Sequence, residues 1–114
     1  MRAHRHAWLR LHVGGQAWGV YLVNPGHRRL LDVDERVYGI AYPDECRIYL
    51  ARNQSESSLE DSLIHELLHA AFAVSGAGHA IGDAVKEETI VRALTPVWHR
   101  LLLDLGFRFP KVGV

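Results

Sequence analysis

The chain has 114 residues, 48% of them hydrophobic and 23% charged, with 13 Lys and Arg against 13 Asp and Glu. That length builds one hydrophobic core, hence one domain over 1–114, and the zero net charge removes the electrostatic argument for a nucleic-acid or membrane-surface partner. The single cysteine, Cys46, excludes an internal disulfide framework and a multi-cysteine zinc ribbon, and fits a reducing compartment.

Two β-type runs, 7–13 and 17–23, flank Gly14-Gly15 and read as a hairpin. Asn24-Pro25-Gly26 is a turn, because Pro presets φ and Gly accepts positive φ. Residues 27–35 read as loop or a weak strand. The runs 37–42 and 46–51, separated by Pro43-Asp44-Glu45, predict a second hairpin. Ser57 and Glu60 have the spacing of a capping box, so a helix is expected from about 58 to 75, ended by Gly76-Ala77-Gly78. A second helix begins near Asp83 and carries Ile90, Val91, Leu94, Trp98, Leu101, Leu102 and Leu105 at helical spacing. Pro96 should kink or divide it, and Gly106 should stop it. A short tail, 107–114, is expected to be partly disordered. The predicted fold class is α+β: a small twisted, mostly antiparallel sheet of two hairpins (about 7–51) packed on two main helices (about 57–105).

No run approaches the ~18 apolar residues of a membrane span, and no signal-peptide apolar stretch follows the charged start, so a cytoplasmic location is expected. The composition has one outlier. Eight histidines are roughly three times an average share, which makes metal the first question.

His65-Glu66-Leu67-Leu68-His69 is H-E-x-x-H inside the first predicted helix. Positions i and i+4 project from one face, so both imidazoles can bind one Zn²⁺. Glu66 leans over the same face and can act as general base on a metal-bound water. Leu59, Leu63, Ile64, Leu67 and Leu68 cover most of the remaining circumference, so the helix should be buried. Buried imidazoles and a buried carboxylate need strong partners, and a metal ion supplies them.

A catalytic zinc ion needs a third protein ligand and an open position. Glu87 leads the stripe Ile90, Val91, Leu94 and Trp98 and so should point toward the first helix; it is the expected third ligand. Glu88, which shares its side with Arg92, and His79 in the intervening loop are the alternatives. Tyr42, His79 and His99 are weaker candidates for stabilising an oxyanion. His4, His6 and His12 with Arg2, Arg5 and Arg10 read as a solvated basic edge, Cys46 as a small buried hydrophobe, and Trp8, Trp18 and Trp98 as core.

The segments HELLHA and EETIV, with YGIAYPDECRIYLARNQ ahead of them, resemble small H-E-x-x-H zinc metallopeptidases of the gluzincin type, close to SprT-like and ImmA/IrrE-type and phage-encoded minimal peptidases. The order Gly78-His79, in place of a more distant His-Gly, favours the glutamate-ligand type. The resemblance implies a minimal zincin-like core with Zn²⁺ on His65, His69 and Glu87 and Glu66 as base. It also implies a protein or peptide substrate, which such enzymes take as an added strand; the strand at 46–51 is the expected edge. The competing expectation is a zinc-stabilised, non-catalytic binding or assembly module, its site closed by His79.

Overall fold

Residues 6–32 and 35–112 are described by the computed structural model. In chain order the elements are β1 (Leu9–Val13), β2 (Gln16–Val23), β3 (Leu31–Asp32), β4 (Glu35–Arg36), β5 (Gly39–Tyr42), β6 (Arg47–Ala51), α1 (Glu56–Ser75), α2 (Ala77–Ile81) and α3 (Ala84–Asp104). Both predicted hairpins form. Gly14 and Gly15 take φ of 56° and 87°, the left-handed pair that a tight two-residue turn requires, and β1 runs antiparallel to β2. A 3-10 turn at Pro43–Glu45 joins β5 to its antiparallel neighbour β6.

The hairpins meet through a parallel pairing of β2 with β6, in the register Gly19↔Arg47 to Val23↔Ala51. The four-stranded sheet therefore has the order β1-β2-β6-β5 and is mixed, with two antiparallel pairs and one parallel. This places β6 inside the sheet. The edge strands are β1 and β5, so the expectation of an edge at 46–51 is corrected to β5. The short β3–β4 ribbon forms a separate two-stranded sheet from the stretch read as loop or weak strand, whose residues 33 and 34 lie outside those described.

Central strands buried on both faces read as continuous apolar runs, and β2 does so from Trp18 to Val23. One face (Trp18, Val20, Leu22, Ile48, Leu50) packs on Leu59, Leu63 and Ala70 of α1. The other (Tyr21, Val23, Tyr49, Ala51) is closed by Leu30. Cys46 is half-buried against the first core, at a left-handed φ of 54°.

Helix α1 starts two residues before the expected box. Ser55 is the N-cap and its Oγ accepts from the Ser58 N–H, while Glu60 turns to His99 instead of to the cap. Gly76 ends the helix at φ 83°, as expected, and α2, five residues long, follows unannounced by the sequence. Helix α3 opens on Asp83, whose Oδ1 accepts from the N–H groups of Val85 and Lys86, and it continues through Pro96 without dividing.

The face that α3 turns inward differs from the expected one. Val91 and Thr95 are buried against α1, whereas Trp98 and Leu101 are 46% and 47% exposed and Ile90 and Val97 also face outward. Of the apolar stripe, Val91 is in the α1 contact, whereas Ile90, Trp98 and Leu101 lie beside it. Val91→Ala is accordingly expected to cost about 2 kcal/mol, and Leu101→Ala less than half of that. Chemical denaturation of the two variants checks this; equal losses would return the stripe to the core.

The polar side of α3 meets α1 in antiparallel fashion. At one end His99 Nδ1 lies 2.6 Å from Asp61 Oδ1 and its Nε2 lies 2.8 Å from Glu60 Oε1. Only an imidazolium has two N–H groups to donate to two carboxylates. Burial opposes that charge, but the two hydrogen bonds outweigh it, and the His99 pKa is raised. The sign follows: stability from this clamp is fully present below the unfolded value of ~6.5 and is lost as pH rises through the raised folded value. In metal-free protein, His99→Gln is expected to cost on the order of 1 kcal/mol near pH 6 and progressively less at alkaline pH. A deficit independent of pH would contradict the clamp.

Over the described residues, the tail beyond α3 packs back against the rest of the chain. Phe109 packs edge-on against His99, the Trp8 Nε1–H donates to the Lys111 carbonyl, and Lys111 pairs with Glu56. No helix among the described residues is long and apolar enough to cross a membrane. Arg2, His4 and Arg5 of the expected basic edge lie outside the described residues.

Candidate metal centre

The i, i+4 spacing on α1 does what it predicts. The rings of His65 and His69 lie side by side, centroids 5.1 Å apart, each half-buried. Their Nε2 atoms converge on one oxygen. Glu88 Oε1 is 3.1 Å from Nε2 of His65 and 2.7 Å from Nε2 of His69. His65, His69 and Glu88 each offer a ligand atom, all within 4.8 Å of one another, and this group can hold a metal ion.

The carboxylate in the group is Glu88, not the expected Glu87. Glu87 Oε2 instead lies 2.6 Å from Nδ1 of His69, on the far side of the ring. The reason is the rotation of α3. Glu88, Val91 and Thr95 follow i, i+3, i+7 on the face toward α1, and Glu87 belongs to the neighbouring stripe. Glu87 thus holds the His69 ring through its second nitrogen, an arrangement common around metals. Gly78 makes room for it: a Cβ there would meet Glu87 Oε1 at 2.7 Å. His79 lines the same cleft but is not part of the ligand group.

Glu66 is 7% exposed, and its Oε2 is 4.0 Å from His65 Nε2. It is seated under β5. A Cβ on Gly39 would stand 3.2 Å from Glu66 Cγ and 2.7 Å from Leu50 Cδ2, so the bare backbone of a glycine admits the side chain. The sequence reading took Gly78 only as part of the helix stop and of the Gly78-His79 order, and did not single out Gly39, although a glycine inside a strand pattern is itself a sign of close approach.

The electrostatics differ between the two histidines, favouring the neutral form at His65 and the charged form at His69. Burial is the largest influence on both imidazoles and disfavours their charge. At His65 it prevails over the attraction of Glu88, and the pKa is lowered. At His69 the hydrogen bonds to Glu87 and Glu88 outweigh it, and the pKa is raised. At Glu88 burial opposes ionisation, but bonds to His69 and Arg92 hold the pKa below the usual carboxylate range. A neutral His65 beside an ionised Glu88 is a ligand-ready pair.

The donor set matches the two-histidine, one-glutamate type of catalytic zinc sites. Ligands ~2.0–2.1 Å from a tetrahedral ion stand ~3.3 Å apart, so an ion would leave the 3.1 Å Glu88–His65 pair nearly in place and widen the 2.7 Å Glu88–His69 pair by about 0.6 Å. The group opens onto a cleft of about 1090 Å³, with Tyr38 and Gly39 along one wall, α1 beneath, and His79 and Arg92 on the other side. Tyr42 and His99 do not serve this site. The Tyr42 hydroxyl donates to the Arg29 carbonyl, and His99 is taken by Glu60 and Asp61.

Comparison with protein-family models, curated proteins and solved structures finds no match to this chain.

Proposed function

We propose that the protein is a zinc-dependent metallopeptidase, with His65, His69 and Glu88 as metal ligands and Glu66 as general base. The observation that carries the reading is the buried Glu66 carboxylate beside a three-ligand group that opens into a cleft. When bound, Zn²⁺ supplies Lewis acidity and brings the pKa of a coordinated water toward ~7.

The chain's own residues supply the remainder. Glu66 accepts a proton from the attacking water and returns it to the leaving amine. Glu87 holds His69 so that its Nε2 faces the group. The edge strand β5 forms a wall of the cleft and offers backbone groups to an extended peptide, which would lie across Glu66 at Gly39. Protein or peptide substrates suit such a cleft because main-chain pairing binds any sequence in extended form.

The test is hydrolysis of a panel of unfolded proteins by zinc-loaded protein, with and without chelator. Cleavage that chelation abolishes is expected. Stoichiometric zinc with no cleavage of any panel member would overturn the catalytic reading in favour of a zinc-stabilised binding module.

A further inference from the structure

Glu88 has two carboxylate oxygens, and the structure assigns them different partners. Oε1 faces both Nε2 atoms of the histidine pair. Oε2 accepts from the Arg92 Nε–H at 2.8 Å. Arg92 stands one turn along α3, so the helix itself sets this contact. It is also the only Lys or Arg on the cleft wall among the described residues.

We infer that Arg92 is a positioning residue: it occupies Oε2 of Glu88, so that only Oε1 is presented to the ion and one coordination position stays open. The inference rests on the metal site proposed above. A carboxylate can bind a metal through one oxygen or two. With both oxygens turned inward, Glu88 and two histidines supply four ligand atoms and leave solvent or substrate only a fifth position, whereas a catalytic zinc site with three protein ligand atoms keeps the fourth position open.

Arg92 is 74% exposed, and an exposed i, i+4 pair contributes little to folding. Its role is orientation, for which the planar guanidinium with a directed Nε–H is better suited than an ammonium. This separates the inference from a purely structural pair: removing Arg92 leaves the fold intact but changes the ion's coordination.

The test uses the whole protein loaded with Co²⁺, comparing wild type, Arg92→Ala and Arg92→Lys by visible absorption and by competition with a chromophoric chelator. Thermal unfolding of the metal-free forms serves as the folding control. Wild type is expected to show the intense bands of four-coordinate Co²⁺. Arg92→Ala should lose about twofold or more in absorbance as a fifth ligand atom arrives, with unfolding of the metal-free form unchanged. Arg92→Lys should fall between. A spectrum and affinity identical to wild type in Arg92→Ala would overturn the inference while leaving the metal site standing. Failure of wild type to take up Co²⁺ would instead overturn the metal site, and the inference with it.

Discussion

Replacing Glu66 with Gln is expected to lower kcat on a peptide substrate by about 10²–10⁴-fold while leaving the metal bound. The two side chains have nearly the same shape, so the seat beneath Gly39 remains filled. What disappears is the capacity to take up a proton. Glu66 is outside the ligand group, so the ion keeps all three ligands. Turnover of metal-loaded protein, with metal content measured on the same sample, checks both halves. Retained turnover would remove Glu66 from the base role, and lost metal would make it a ligand.

Glu88→Ala is expected to weaken metal binding by more than about 100-fold, because it removes a ligand, and Glu87→Ala by about 10–100-fold, because it frees the His69 ring. The order of the two losses is the informative part. In both variants a carboxylate remains one residue away, but the helix turns it about 100° from the vacated place. Chelator competition reads the affinities directly. A greater loss in Glu87→Ala would restore Glu87 as the ligand.

The features legible in the sequence are those with local causes. H-E-x-x-H on a capped helix announced His65, Glu66 and His69, since i and i+4 share a face whatever surrounds them. Gly14-Gly15 and Pro43-Asp44-Glu45 announced both hairpins through turn chemistry. The parallel joining of β2 to β6 leaves no local trace, because nothing near either strand specifies a partner 28 residues away. It also misplaced the sheet edge.

The carboxylate facing the histidine pair differs from the expected one for a physical reason. The expectation that a helix turns its apolar stripe toward its neighbour favoured Glu87. Here the strip between α1 and α3 is largely polar: Glu88 meets His65 and His69, and His99 meets Glu60 and Asp61. Those groups take the contact face, while Val97, Trp98 and Leu101 are left outward. Glu88 and Arg92, which share one side of α3, lie on the side toward His65 and His69.

The most direct measurement is a crystal structure of zinc-loaded protein with anomalous data at the zinc edge. The account predicts one ion about 2.0–2.2 Å from Nε2 of His65, Nε2 of His69 and Oε1 of Glu88, with a remaining position open to Glu66 and the cleft. An ion held by Glu87, a site closed by His79, or no ion between α1 and α3 would contradict it.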